Sequence, residues 1–136
     1  MDPMQCAVKA LFDGGFSCAV FDGEGLAFTS LEKGVRPLMD ALAKDPSGLR
    51  QKYVADRIIG KAAACILIVG GAAACYGQVM SLSAIEILSP CMPYSFGITA
   101  PVIQNRDKTG LCPMENAVLT AKTAHEGYEI LKSILK

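Results

Sequence analysis

A chain of 136 residues with 51% hydrophobic and 19% charged side chains has the common size of one domain, enough apolar surface for a full core and too little charge for disorder. Lysine plus arginine and aspartate plus glutamate balance at 13 each, and no basic run is interleaved with aromatics, which argues against nucleic acid as a partner. The opening Met1-Asp2-Pro3-Met4 lacks the basic region and apolar stretch of a signal peptide, so the six cysteines read as reduced thiols of a cytoplasmic protein.

In chain order, residues 2–13 read as a helix stopped by Gly14-Gly15. Ser17 to Phe21 and Leu26 to Thr29 read as a hairpin around the turn Asp22-Gly23-Glu24-Gly25. Pro37 suits the first turn of a helix through about Ala43, ended by Asp45-Pro46-Ser47-Gly48. Arg50 to Ala64 is expected to be a second helix of that pair, because Val54, Ile58, Ala62 and Cys65 fall on one stripe at helical spacing. Ile66 to Val69 then reads as a buried strand, and Ser83-Ala84-Ile85-Glu86 as the capping box of a further helix.

The stretch from Ala62 to Tyr76 is uncharged and apolar, but Gly70-Gly71 interrupts it and it falls short of the roughly 20 residues of a membrane span. A further strand is expected from Gly97 to Ile103, then a polar loop from Asn105 to Gly110, then one helix to the C-terminus. A hairpin followed by alternating helices and strands argues for a single α/β domain with a mixed sheet and helices on both faces.

The residues that bear on chemistry cluster late in the chain. In Cys112-Pro113-Met114-Glu115 the proline fits the first helical position and the glutamate the third, which puts Cys112 at the N-cap, where helix N–H groups and dipole favour a thiolate. The alternative reading is an ordinary helix start with a buried, inert cysteine. Asn105, Arg106 and Asp107, in the loop leading to that helix, form either one wall of a polar pocket or a solvated turn. Lys61 emerges beside the apolar stripe of the Arg50 to Ala64 helix, where it has a lowered pKa if half-buried or else snorkels to solvent.

Asp56 and Arg57 fall on the more polar side of that helix. His125 shares a face with Met114, Val118 and Ala121 and is expected in the core. A Cys112–His125 dyad is disfavoured, since thirteen residues of helix would separate the two by roughly 20 Å. No C-x-x-C pair marks a zinc site, and neither a metal nor a cofactor is expected.

Two stretches, Asp56-Arg57-Ile58-Ile59-Gly60-Lys61-Ala62-Ala63-Ala64 and Asn105-Arg106-Asp107-Lys108-Thr109-Gly110-Leu111-Cys112-Pro113-Met114-Glu115, resemble the domain-of-unknown-function 1893 family of small prokaryotic proteins, and the resemblance covers nearly the whole chain. It implies a cytidine-deaminase-like fold, a three-layer α/β/α sandwich. The zinc deaminases of that superfamily carry H-x-E or C-x-E on one helix and P-C-x-x-C at the start of the next, and this sequence has neither; Pro90-Cys91-Met92-Pro93-Tyr94 matches only half of the second.

The resemblance further implies a pocket at two helix starts for a nucleotide-like small molecule, with Asp56, Gly60 and Lys61 on one wall and Asn105 to Gly110, Cys112 and Glu115 on another. Two functions fit. One is a metal-independent enzyme with Cys112 as nucleophile and Lys61 or Glu115 handling protons. The other is a catalytically silent module that binds or senses such a ligand. The edge strands of the sheet also offer a route to a homodimer.

Overall fold

The computed structural model describes residues 2–105 and 107–135. The first helix, α1 (Pro3–Asp13), begins with a reciprocal cap: Asp2 accepts from the Gln5 N–H at 2.8 Å while the Gln5 side chain accepts from the Asp2 N–H at 3.1 Å. It ends at Gly14, and Gly15 takes the left-handed φ of 65° that a residue without Cβ adopts freely. β1 (Cys18–Phe21) and β2 (Leu26–Ser30) form the expected hairpin, and Asp22 caps its turn by accepting from the N–H groups of Glu24 and Gly25. α2 (Arg36–Lys44) also falls where Pro37 places it.

The middle of the chain departs from the sequence expectation. The segment expected as a helix from Arg50 to Ala64 is the strand β3 (Tyr53–Ile59), followed at once by α3 (Lys61–Val69). Ile66 to Val69, expected as a strand, is the second half of α3. The next strand, β4 (Ala74–Ser81), was not anticipated. Both exchanges have one cause. Val54 and Ala55 are buried on opposite faces of β3, so the strand loses its period-two signature. α3 is enclosed all round, with Ala62 to Leu67 buried, so its polar face is missing too.

α4 (Leu82–Leu88) is present, but its cap is Ser81, whose hydroxyl accepts from Ala84, rather than Ser83. β5 (Tyr94–Ala100) lies three residues earlier than expected, ending before Pro101. The single C-terminal helix is two: α5 (Pro113–Ala117) and α6 (Ala124–Ile134), the second capped by Thr123 accepting from the Glu126 N–H at 3.1 Å. The break turns His125 to solvent. Its side chain is 74% exposed beside Glu129, not in the core.

The sheet order is β2-β1-β3-β4-β5, with β1 antiparallel to both its neighbours and β3, β4 and β5 parallel. Ala19 and Ala55 pack under Ala7 and Leu11 of α1, while Cys18, Val20 and Val54 turn the other way into a larger cluster with Leu38, Leu67, Leu88 and Leu131. The fold is thus α/β, a mixed five-stranded sheet with six helices among the described residues. Because β3, β4 and β5 run in one direction, their C-terminal ends and the starts of α3 and α4 share one rim of the sheet. Among the described residues, no helix is long and apolar enough to cross a membrane.

Arg57 fastens α1 to the sheet. Its guanidinium donates to the Phe16 carbonyl at 2.8 Å, the Leu11 carbonyl at 3.1 Å and the Gln78 side chain at 3.2 Å, and it lies 4.7 Å from the centre of the Phe12 ring. Arg57→Ala is expected to lower unfolding stability in urea by about 2–3 kcal/mol and to speed amide exchange in the last turn of α1. Arg57→Lys should not restore it, because an ammonium lacks the fork that reaches three acceptors.

Candidate functional site

The rim is organised by one carboxylate. Gly60 ends β3 and caps α3 without a side chain, leaving the first N–H groups of the helix to be met from outside. Glu115 meets them. Its Oε1 accepts from the Lys61 N–H at 2.8 Å and its Oε2 from the Ala62 N–H at 2.7 Å, and the side chain is buried. A Cβ at position 60 would stand 2.5 Å from the Glu115 carboxyl carbon, so the glycine is what lets the carboxylate in. A negative charge on two backbone donors at a helix N-terminus is favourable through both the hydrogen bonds and the dipole.

The Lys61 ammonium donates to the carbonyls of Ala121, at 2.7 Å, and Leu119, at 3.2 Å, tying α3 to the connection between α5 and α6. Lys61, Gly60 and Glu115, expected on two walls of one pocket, are in direct contact and form one unit. Beside them is a cavity of about 290 Å³ lined by Lys61, Ser83, Glu86, Glu115 and the apolar side chains of Val102, Leu111 and Leu119. A second cleft of about 670 Å³ continues past Lys61, Ser83 and Glu86 toward Cys91 and Lys122.

Ser83 and Glu86 escape sequence reasoning as site residues because Ser83-Ala84-Ile85-Glu86 has the pattern of a capping box. Ser81, not Ser83, caps α4, which leaves the Ser83 and Glu86 side chains facing the cleft. The Thr123-x-x-Glu126 pattern did hold the signal for the helix break that shapes the opposite wall.

The other expected residues lie apart from that unit or at its margin. Cys112 is half-buried at the N-cap of α5, its side chain makes no capping hydrogen bond, and its N–H donates to Ile103. Asn105 closes its own turn, accepting from the Thr109 N–H at 3.0 Å and donating to the Thr109 hydroxyl. Asp107 is exposed in that turn, and Arg106 lies outside the described residues.

Asp56 is not on a helix. It is buried in β3, opposite Cys18 on β1 and Gly77 on β4. Burial pushes its carboxyl from 3.8 up to about 7, against the opposing pull of the Ile58 and Arg57 N–H groups and the Arg57 charge. The same burial, reinforced by Asp56, raises the Cys18 thiol and pushes Cys75 up to about 12; burial pushes Cys65 up to about 11. These three thiols stay protonated at neutral pH. Among the described residues, no group of three or more His, Cys, Asp or Glu side chains is placed to hold a metal ion.

Comparison with known proteins bears on the whole chain. Residues 6–135 match the model of a family described as a domain of unknown function, DUF1893. A similar solved structure is the crystal structure, at 2.70 Å resolution, of a DUF1893 family protein, TM1506, from Thermotoga maritima. It is 25% identical, covers 97% of this chain and 89% of that one, and superposes with a TM-score of 0.88. No curated protein matches.

Proposed function

The chain belongs to the DUF1893 family, and from that premise we propose that it is a small-molecule-binding domain on a three-layer, cytidine-deaminase-like sandwich, taking a nucleotide-like ligand at the rim without transforming it. The observation that carries this reading is the engagement of the two best candidates for proton transfer. Glu115 is spent on two backbone N–H groups, and the Lys61 ammonium on two carbonyls. What faces the cavity is a set suited to holding a ligand: apolar walls with a few converging polar groups, Ser83 and Glu86 foremost. Its place, at the starts of two helices beyond the C-terminal ends of parallel strands, is where open α/β sheets commonly bind ligands.

Nucleosides and nucleotides at concentrations well above their Kd are expected to raise the melting temperature of the full chain by mass action, with no product formed at catalytic protein levels. Ser83→Trp, which fills the cavity from its rim, should abolish the shift. A melting temperature unmoved by the whole panel would sink the ligand class, and steady turnover would sink the silent reading.

The enzymatic alternative keeps one observation: Cys112 is accessible and its side chain serves no cap. It requires Cys112 to alkylate faster in the folded protein than in denaturant. A folded rate at or below the denatured one removes it.

A further inference from the structure

The outer strand of the sheet on the side of the cleft is β5, bonded to β4 along one side. Its other side presents a row of backbone N–H and C=O groups with no strand beside them among the described residues. Proteins blunt such edges with charged side chains, an interior proline or a bulge. β5 has none of these. It reads Tyr-Ser-Phe-Gly-Ile-Thr-Ala, the sequence carries no charge from 87 to 105, and Pro93 and Pro101 lie just outside the strand. Its register with β4 is constant from Tyr94 to Ala100.

The side chains point the same way. Phe96 is 42% exposed and Ile98 63%. Ile98 stands in register with Val79, and Val79 with Ile58, itself half-exposed, so an apolar row crosses three strands and reaches the open edge. Exposed Leu82 and Val102 flank the same end of the sheet. A bare, uncharged edge beside exposed apolar side chains is a surface built to be covered.

We propose that the cover is a second copy of this chain, paired antiparallel with β5 about a two-fold axis at Gly97, which joins two five-stranded sheets into one continuous sheet. Two features favour a second copy. The strand is self-complementary about its central glycine: Phe96 comes opposite Ile98 of the partner subunit, and Ser95 opposite Thr99 of the partner subunit, both favourable cross-strand combinations. Charge is matched as well, since an uncharged edge meets an identical one and the formal net charge of each chain is zero. The isologous geometry closes at two copies and leaves no free β5 edge to propagate. The pairing would also brace the cavity wall, because Val102 follows two residues after the strand.

Sedimentation equilibrium of the full chain, from micromolar to millimolar concentration, should return twice the chain mass. Ile98→Lys and Phe96→Lys are expected to weaken association by at least about 100-fold, since each sets a charge against the partner strand. Leu31→Lys, beyond β2 at the far edge and 71% exposed in the native chain, should leave it unchanged. A wild-type monomer at millimolar concentration would overturn the proposal and leave the edge to an extended segment of another protein. So would a dimer that persists in well-folded Ile98→Lys. Should both lysine variants misfold, amide exchange in wild-type β5 decides: slowing with protein concentration supports the pairing, and concentration-independent exchange refutes it.

Discussion

Gly60→Ala is expected to lower the unfolding free energy by about 3–5 kcal/mol, a large fraction of the stability of a domain this size. The added methyl carbon would occupy the space of the Glu115 carboxylate, which is bonded through both oxygens to Lys61 and Ala62. The carboxylate is the movable partner, so it swings away. The cost is then the loss of two charge-assisted hydrogen bonds, with a buried charge and two helix N–H groups left unmatched. Glu115→Ala should cost about 3 kcal/mol by itself, since it removes the charge along with the bonds. Adding Glu115→Ala to Gly60→Ala should then cost almost nothing further. Guanidinium denaturation of the four proteins closes this double-mutant cycle. Fully additive losses would show that the carboxylate is not what requires a glycine at position 60.

The second large effect depends on pH. With its carboxyl near 7 in the folded chain and near 3.8 when unfolded, Asp56 binds its proton more tightly in the native state. Its contribution to stability is therefore complete below about pH 4 and is lost as pH rises through about 7, a swing of about 4 kcal/mol. Asp56→Asn, which cannot ionise but can still accept from the Ile58 N–H, removes that dependence. The wild type should gain on Asp56→Asn by about 4 kcal/mol as pH falls from about 8 to about 4. Comparing the two at each pH cancels exposed carboxylates such as Asp22 and Asp45, whose pKa values are held low by backbone N–H groups. A difference independent of pH would place the Asp56 carboxylate in water. Cys18 and Cys75 carry the mark of the same buried group, since Asp56 adds to the burial that raises both thiols.

Asp56 also shows why the sequence pattern in the middle of the chain misleads. A charged residue amid Val54, Ala55, Ile58 and Ile59 looks like the polar side of an amphipathic helix, and the positions 54, 58, 62 and 65 do recur at helical spacing. The spacing spans a strand, a cap and a helix, and so describes none of them. Ile58, expected on the buried stripe, is half-exposed. A carboxyl group inside a sheet is tolerated only because neighbouring N–H groups stabilise whatever charge it carries and a raised proton affinity reduces that charge, neither of which can be read from residue type.

Lys61, Glu115, Asp56 and Cys112 stand out from local chemistry, and Gly60 only through the family resemblance. The resemblance implies that they share one pocket, but not that Glu115 bonds the start of the helix that Lys61 begins, because the carboxylate and that helix lie more than fifty residues apart. The signal at Glu115 was correctly that of a carboxylate near a helix start. The helix it serves is α3, as well as the short helix it belongs to.

The sequence by itself determined what rests on short-range chemistry: the capped first helix, the hairpin around Asp22 to Gly25 and the proline-led second helix. Each follows from bonds made within a few residues, where side-chain type fixes backbone geometry. Only the tertiary structure decided which apolar run became β3 and which α3, that Glu115 closes the rim through Gly60, and that β5 stands at an open edge. Those outcomes depend on which surfaces become enclosed on all sides. Full enclosure erases the polar–apolar alternation by which a sequence marks its own elements.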